Sequence, residues 1–347
     1  MIDKLLAIWQ RVLCRNDLKV TDSFFQLGGD AQSAEKIFRE IAAAGLGQHS
    51  PVLLYRAPTI ALLAELLGAP QPIPFCGALP LRPGEQSKFL FLTHGLGGNL
   101  TEFSRLIRFL DVPHSIYGLQ ARGSDGCAEA CETVEEMAED YLQHIRKIQS
   151  DGPYFLVGYS HGGLVMLEAA RRLSKAGQPI ALLLMIDAFP PLRDVPLGPK
   201  LRVYYRALQR RYARSKALGW RHMFGKNNVY GYNSLSAEAQ AVSGLDLATR
   251  AVREASTRSL ARYHPSYFDG RVCFIRAETI ESVPDDPTAV WSRWVQHFEL
   301  TSVPGDHRSM LTQHAEELGM AVSRYIQRSG ERQTYQFGAD PAKARPE

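Results

Sequence analysis

A serine between glycines, Ser160 in Gly158-Tyr159-Ser160-His161-Gly162, is the side chain of this sequence best suited to nucleophilic chemistry. It follows the apolar run 155–157 and precedes the helical pattern of residues 164–170. A strand, a tight turn and a helix in this order form a nucleophile elbow, in which the turn holds the serine oxygen clear of the sheet. A serine hydroxyl becomes a good nucleophile only when a base removes its proton. The segment therefore predicts a catalytic serine whose base and acid lie further along the chain.

The base is predicted at His307. Residues 298–303 have the pattern of a final short strand, and Pro304-Gly305-Asp306-His307 that of the loop after it. In α/β-hydrolases the catalytic residues occur in the chain order serine, acid, histidine. We expect His307 to take the proton of Ser160 and later to return one to the leaving group.

Two acids compete for the third position. Asp187 ends the apolar run 182–186, which is typical of a strand buried on both faces. Open α/β sheets bind ligands beyond the carboxyl ends of their strands, which favours an acid at this place. Glu278 follows the later strand pattern 272–277 and remains the alternative, with Asp285 and Asp286 nearby. The acid is expected to fix the imidazole tautomer and to stabilise the imidazolium.

Backbone donors for an oxyanion are expected at two places. In this fold they are the amide after the nucleophile, here His161, and an amide of an early strand-to-helix loop. The glycine-rich turn 94–99, after the buried strand pattern 89–93, is that early loop. An interpretation as a phosphate-binding loop is disfavoured, because the glycine spacing matches neither the Walker nor the dinucleotide motif.

Composition narrows the classes of function. A net charge of +4 over 347 residues argues against nucleic acid or a membrane as the main partner. Five scattered cysteines predict neither a disulfide framework nor a zinc site, so no metal is expected. No stretch is apolar enough to span a bilayer, and the N-terminal helical pattern lacks a signal-peptide core. We therefore expect a soluble, cytoplasmic protein.

A shift in composition divides the chain into two parts. Apolar spacing over 5–13 and 34–42 predicts two helices, and another follows Pro58-Thr59-Ile60. Prolines and glycines interrupt the helical pattern after residue 68. The expected organisation is a small all-α four-helix bundle over 1–68, a linker over 69–87, a mostly parallel α/β-hydrolase domain over 88–330, and a disordered tail over 331–347.

The first part resembles the peptidyl carrier domains of nonribosomal peptide synthetases. The resemblance rests on residues 22–34, which contain Leu27-Gly28-Gly29-Asp30, and it extends from about residue 2 to 67 through Ala57-Pro58-Thr59-Ile60. In that family a serine directly after this motif bears a 4′-phosphopantetheine arm, which a phosphopantetheinyl transferase attaches. The resemblance thus implies a carrier domain and this cofactor on the parent serine.

The position of the attachment serine is Ala31 in this chain. Alanine has no hydroxyl to esterify, so the arm cannot be attached there. Ser33 lies two residues further on, where a helical turn directs it elsewhere. Either the alanine is an engineered substitution that keeps the carrier unmodified, which we favour, or the carrier is naturally inactive.

The second part resembles the terminal thioesterase domains of the same assembly lines, through about Arg328. Besides the serine motif, the similar segments are 116–123, 152–154 and 305–307. The acid of that family follows the strand after the nucleophile's strand, which ranks Asp187 above Glu278. The resemblance also assigns the oxyanion donors to Leu96 and His161.

The resemblance further implies a mobile lid over about 191–263. Basic residues crowd its first part, and the plain interpretation is an amphipathic helix with a solvated basic face. The alternative is a surface for the phosphate-bearing arm or an acidic partner. These basic residues are Lys200, Arg202, Arg206, Arg210, Arg211, Arg214, Lys216 and Arg221.

The function implied is release of a finished chain. Upstream synthetase modules would deliver a carrier-bound acyl or peptidyl substrate to Ser160, and hydrolysis or intramolecular cyclisation would free it. A polyketide or hybrid assembly line is the nearest variant. A free-standing serine esterase with a helical appendage, and a docking module that has lost catalysis, are the other hypotheses.

Overall fold

The computed structural model describes residues 1–70, 73, 75–218, 244–280 and 283–338. The N-terminal part is a bundle of four helices, as the sequence predicted. Its apolar residues meet in one core, where the ring centroids of Trp9 and Phe24 lie 5.5 Å apart. The helices are Ile2–Leu13 (α1), Ala31–Ala43 (α2), Leu53–Arg56 (α3) and Ile60–Gly68 (α4).

Helix α2 begins at Ala31 because Asp30 caps it. The Asp30 carboxylate accepts a hydrogen bond from Ser33 N at 3.0 Å, and Ser33 Oγ accepts one from Asp30 N at 2.8 Å. This reciprocal capping box satisfies two otherwise unpaired amides and contributes about 1 kcal/mol. The Ser33 hydroxyl is therefore engaged at the helix start.

The second part contains a seven-stranded sheet in the order β1-β3-β2-β4-β5-β6-β7. Strand β1 pairs antiparallel with β3, and all other pairs are parallel. The central strands are buried on both faces, which explains their unbroken apolar sequences. The strands are Ala78–Arg82 (β1), Glu85–Thr93 (β2), His114–Leu119 (β3), Tyr154–Tyr159 (β4), Ile180–Ile186 (β5), Phe268–Ala277 (β6) and Val295–Val303 (β7).

Helices cover both faces of this sheet and create one hydrophobic core on each side. A fully buried leucine or isoleucine in such a core contributes about 1.5–3 kcal/mol. The helices are Ser104–Arg108 (α5), Val134–Ile148 (α6), His161–Lys175 (α7), Leu197–Leu218 (α8), Gly244–Arg262 (α9), Pro287–Trp291 (α10) and Ala315–Gly338 (α11). No helix in the described ranges is long and apolar enough to cross a membrane.

Two predicted segments contain regular secondary structure that the sequence did not indicate. The predicted linker 69–87 contains β1 and the start of β2. Pro80 misled the sequence interpretation, because an edge strand tolerates a proline that a central strand does not. The predicted tail 331–347 begins inside α11, which continues through Gly338. Residues 339–347 lie outside the described part of the chain.

The predicted insertion over about 191–263 contains α8 and α9, and its residues 219–243, including Arg221, lie outside the described residues. Two of its basic residues have acidic or carbonyl partners. Arg202 Nε lies 2.8 Å from Asp285 Oδ1, and Arg206 binds both Asp285 and the carbonyl of Val283. This part of the basic stretch is therefore tied to the body of the domain.

Candidate active site

Ser160 occupies the sharp turn between β4 and α7. Its φ of 55° and ψ of −123° are unusual for a residue with a side chain, and such strain concentrates at functional sites. The turn is held by the Ser160 amide, which donates to Ile186 O at 2.8 Å. A Cβ on Gly158 would lie 2.4 Å from Gly162 O, and one on Gly162 2.3 Å from His94 O. The two glycines are therefore required for the close approach of strand and helix.

Asp187 and His307 form a hydrogen-bonded pair beside this turn. The His307 Nδ1 atom lies 2.7 Å from Asp187 Oδ2. Asp187 follows β5 and is 2% exposed, and its Oδ1 accepts a hydrogen bond from Ala277 N at 3.3 Å. The carboxylate is thus fixed at both oxygens. Its partner follows β7, so the parallel sheet brings the ends of distant strands together.

The alternative acids lie elsewhere. Glu278 is exposed, and its amide donates to Val303 O. Asp285 is bound by Arg202 and Arg206, while Asp286 caps α10 by accepting from Ala289 N at 2.9 Å. The structure therefore places Asp187, and none of these three carboxylates, at the histidine.

Tyr159 supports His307 in a way that the sequence analysis did not anticipate. Its ring stacks on the imidazole with centroids 4.8 Å apart and planes inclined by 21°. Its hydroxyl donates to the His307 carbonyl oxygen. The only sequence signal for this role is the position of Tyr159 directly before the nucleophile. Tyr159 therefore restricts the orientation of the His307 ring and the position of the His307 backbone.

The loop that carries His307 is also fixed by its neighbour. Asp306 Oδ1 accepts hydrogen bonds from Arg308 N at 2.9 Å and from Ser309 N at 2.8 Å. These hydrogen bonds, that from Ser309 foremost, hold the pKa of Asp306 below its ordinary value. The charged carboxylate consequently organises the turn in which the histidine lies.

The two amides expected to stabilise an oxyanion lie on different turns. His161 N is at the first turn of α7, where amides lack helical acceptors. Leu96 lies on the turn after β2 and lines the same cavity as Ser160. Among the hydrogen bonds of the described residues, neither of these two amides is a donor. Both are therefore available to a bound oxygen.

Glu102 is a half-buried acid at the site that sequence reasoning missed. Its Oε1 accepts a hydrogen bond from Gly95 N at 3.0 Å and so fixes the turn that carries Leu96. Burial raises the pKa of Glu102 to about 7, although the Gly95 amide, His307 and Arg253 favour the charged form. No motif marks this residue, because its role depends on the 3₁₀ turn 100–103 folding over the earlier loop.

Two buried histidines pack behind the site in the neutral form. Burial lowers the pKa of His94 to about 4, and burial together with nearby His94 lowers that of His161 to about 3. His94 Nδ1 lies 2.7 Å from Gly95 O, and its Nε2 lies 2.6 Å from the hydroxyl of Tyr141. A carbonyl can only accept, so Nδ1 carries the proton. His94 therefore anchors the same turn from behind.

The first helical bundle faces the site. A cavity of about 960 Å³ is lined by Ser160, His307 and Leu96, and also by Ala31. The guanidinium of Arg105 binds Asp30 at 2.9 Å beside this opening, and Tyr55 OH donates to Leu100 O at 3.4 Å. Position 31 therefore opens onto the cavity that contains the candidate nucleophile. Ser33 is not among the residues that line it.

No metal site is formed by the described residues. No group of three or more histidine, cysteine, aspartate or glutamate side chains in the described ranges could hold an ion. The five cysteines are free thiols.

The fold and site define an α/β-hydrolase with a serine at the nucleophile turn, preceded by a helical domain. Residues 88–325 match the thioesterase domain family, and residues 3–67 match the phosphopantetheine attachment site family. The chain belongs to the thioesterase family and combines it with a carrier domain, in the manner of nonribosomal peptide synthetases.

The curated relatives that this chain matches are much longer proteins. The chain is 36% identical over 198 residues to the dimodular nonribosomal peptide synthase of Bacillus subtilis (strain 168), covering 55% of this chain and 8% of that protein. It is 34% identical over 172 residues to enterobactin synthase component F of Escherichia coli (strain K12), covering 48% of this chain and 13% of that protein. The chain thus spans a small fraction of these relatives.

Solved structures agree on the fold. A holo four-domain nonribosomal peptide synthetase bound to AMP and glycine superposes with a TM-score of 0.58 at 24% identity, covering 93% of this chain and 26% of that one. The NocB thioesterase domain, solved as a covalent complex with a fluorophosphonate nocardicin G analogue, gives 0.51 at 22% identity, covering 69% and 94%. At these identities the likeness supports the fold alone.

Proposed function

We propose that this chain releases an acyl or peptidyl chain from a thioester by way of an ester on Ser160. The observation that carries the proposal is the 2.7 Å contact of His307 Nδ1 with Asp187 Oδ2, at the cavity that Ser160 and position 31 share. With Nδ1–H donating to the carboxylate, Nε2 is the unprotonated nitrogen, which can accept a proton. Asp187 stabilises the imidazolium that forms.

The acyl-transfer step then has defined participants. The Ser160 oxygen attacks the thioester carbonyl as its proton passes to His307, and the carbonyl oxygen becomes an oxyanion. The amides of Leu96 and His161 stabilise that charge, which forms only in the transition state and the intermediate. The C–S bond breaks, the thiol leaves with the proton from His307, and Ser160 keeps the acyl group.

The second step repeats this chemistry with a new nucleophile. Water gives a linear acid, and an amine or hydroxyl of the bound chain gives a macrocycle or a lactone. In either case His307 removes the proton of the nucleophile and Ser160 regains its own. The insertion that contains α8 and α9 selects between them through the access it gives to water.

The source of the acyl group is a carrier of an assembly line for natural products. Ala31 has no oxygen to which 4′-phosphopantetheine could be esterified. The thioester that this chain cleaves is therefore carried by another molecule. We infer that position 31 holds serine in the parent protein. The proposed partners are then the upstream synthetase modules and a phosphopantetheinyl transferase. An engineered alanine remains the explanation that we favour.

Labelling with a fluorophosphonate tests the enzymatic part of the proposal. The reagent should add once to the folded protein, as seen by intact mass, and a peptide map should place it on Ser160. The Ser160→Ala variant is the matched control and should remain unlabelled. Labelling that is absent from the folded protein, or equal in the control, would refute the acyl-enzyme.

A further inference from the structure

Two arginines from different elements line the cavity outside the catalytic pair. Arg253 projects from α9, and Arg308 directly follows His307. A side chain at Gly97 would meet Arg253 Nη2 at 3.3 Å, so this guanidinium lies over the turn that carries Leu96. Both positive charges are therefore close to the entrance through which a substrate reaches Ser160.

Neither guanidinium forms an ion pair or a hydrogen bond with the described residues. Arg105, a third arginine of the cavity, differs because it binds the carboxylate of Asp30 and the carbonyl of Thr312. Arg308 is exposed, whereas Arg253 is half-buried, and a half-buried arginine normally has a partner because removing an unpaired charge from water is costly. The pair Arg253 and Arg308 thus has donors left for a ligand.

The electrostatic balance at these side chains favours an anion. Burial lowers the pKa of Arg253, and the positive charge of Arg308 lowers it further, outweighing the opposite effects of Glu102 and Glu35. The neighbouring carboxylates are already engaged: Glu102 binds the Gly95 amide, and Asp306 binds two amides of its own turn. An anion between the two arginines would relieve their mutual repulsion.

The start of helix α2 lines the same cavity as the two arginines. Helix α2 begins at Ala31, and its amino end contributes partial positive charge to the same cavity. Glu35, one turn further along α2, is close enough to influence Arg253. Asp30, the nearest carboxylate to position 31, is held by Arg105. Arg253 is therefore close to the turn that carries Leu96 and near enough to helix α2 to feel the charge of Glu35.

We propose that Arg253 and Arg308 form a subsite for the phosphate of a pantetheine thioester, and the proposal rests on the thioesterase function proposed above. A phosphate near position 31 and a thioester carbonyl at Ser160 are the two ends of such a substrate. Guanidinium groups bind phosphate through paired, charge-assisted hydrogen bonds. Because Arg253 belongs to α9, the phosphate would also hold the lid helix against the substrate arm.

Binding of small ligands to the chain as it stands tests the subsite without catalysis. Calorimetry with 4′-phosphopantetheine and with pantetheine, neither of which carries an acyl group, compares ligands that differ only in the phosphate. We expect the phosphate to strengthen binding by about tenfold or more, which is typical of charge-assisted hydrogen bonds. Equal affinity for the two ligands would overturn the proposal, whatever the behaviour of any variant.

Substitutions then show which residues cause the tighter binding of the phosphorylated ligand. Arg253→Gln and Arg308→Gln should each reduce the advantage of the phosphorylated ligand, and the double variant should remove it. Arg258→Gln is the matched control, because Arg258 is on the same helix but binds Glu132 at 2.7 Å. It should retain the full advantage. A preference that survives in a folded double variant, verified by its thermal unfolding, would assign the phosphate to other residues.

Two further measurements distinguish failure of the phosphate subsite from failure of the proposed thioesterase function. Fluorophosphonate labelling of the unchanged chain tests the hydrolase, so labelling without a phosphate preference would reject the subsite alone. Ala31→Ser protein carrying the arm should bind free 4′-phosphopantetheine more weakly than the chain with Ala31, because the tethered phosphate occupies the arginines. Unchanged binding of the free ligand would show that the tethered arm does not use them.

Discussion

His161 Nε2 lies 2.9 Å from Ser259 Oγ, so the residue after the candidate nucleophile is hydrogen-bonded to helix α9 of the insertion. Ser259 Oγ donates its own proton to Ser256 O, and it therefore accepts from the histidine. This leaves His161 Nδ1 unprotonated and buried without a partner among the described residues. The first turn of α7 and helix α9 are thus joined through two side chains that are almost fully buried.

Removing this link should destabilise the protein. Ser259→Ala leaves the Nε2–H of His161 buried without an acceptor, which costs about 1–3 kcal/mol. Denaturant unfolding of the variant should show a free energy of unfolding reduced by that amount. Thr257→Ala, which removes only a hydroxyl bonded to Arg253 O on the same helix, should cost less. Equal losses in the two variants would contradict the coupling.

The identity of the catalytic acid can be tested by a pair of amide substitutions. Asp187→Asn replaces an acceptor of the His307 Nδ1 proton with a group that favours the wrong tautomer, and should lower kcat by about 10⁴. Glu278→Gln changes an exposed side chain and should leave kcat within about twofold. Turnover of an acyl-pantetheine thioester by both variants is the measurement. The reverse ranking would transfer the acid to the later strand.

Glu102 predicts a pH-dependent stability. Its pKa is raised to about 7 in the folded protein against an ordinary 4.5, so the folded state binds more protons between these values. Its contribution to stability is therefore fully present below pH 4.5 and is lost as pH rises through 7. Glu102→Gln stays neutral and keeps an oxygen for the Gly95 amide. It should become more stable relative to the unchanged chain by about 1–3 kcal/mol between pH 5 and 8.

Unfolding by denaturant at several pH values measures this difference. Glu278→Gln removes an exposed carboxylate and serves as the control, with a difference that stays nearly constant over the same range. If Glu102→Gln gave a constant difference too, the Glu102 carboxyl would have an ordinary pKa in the folded protein. Fluorophosphonate labelling rates of the same proteins would show whether the turn that carries Leu96 keeps its shape.

Local patterns were enough to nominate Ser160 and His307 as candidates, while long-range packing decides which other residues surround them. The nucleophile turn lies within one strand–turn–helix segment, and the histidine follows from chain order. Glu102 could not be found in this way, because its partner Gly95 is reached only through folding of the turn between them. Tyr159 belongs to the same group, since its stacking on the histidine requires β4 and β7 to share a sheet.

Strand β1 and the choice of the acid show two further limits of prediction from the sequence. Proline has no amide hydrogen to donate, so in a sequence it argues against a strand. Pro80 is tolerated because β1 lies at the edge of the sheet. For the acid, the residues alone left Asp187 and Glu278 open, because both follow buried strands. The order of strands does not separate them, since β6 lies beside both β5 and β7. Only the side-chain contact in the folded chain places Asp187 against His307.

The docking of the carrier predicts how fast position 31 can be modified once a serine is restored there. Position 31 lines the cavity of Ser160, so a transferase can reach it only when the carrier moves away. The Arg105–Asp30 ion pair, at 2.9 Å and partly exposed, opposes that movement. An exposed pair of this kind contributes up to about 1 kcal/mol, or about fivefold in an equilibrium. In the Ala31→Ser background, Arg105→Gln should therefore accelerate loading by a few fold.

The measurement is intact mass against time with coenzyme A and a broad phosphopantetheinyl transferase. The Ala31→Ser protein should gain one phosphopantetheine, and the chain with Ala31 should gain none. Arg108→Gln in the Ala31→Ser background is the matched control, because Arg108 is exposed on the same short helix α5. Loading at one rate in all three serine proteins would mean that the ion pair does not limit access. No loading in any of them would mean that the bundle is not a functional carrier, whatever Ser160 does.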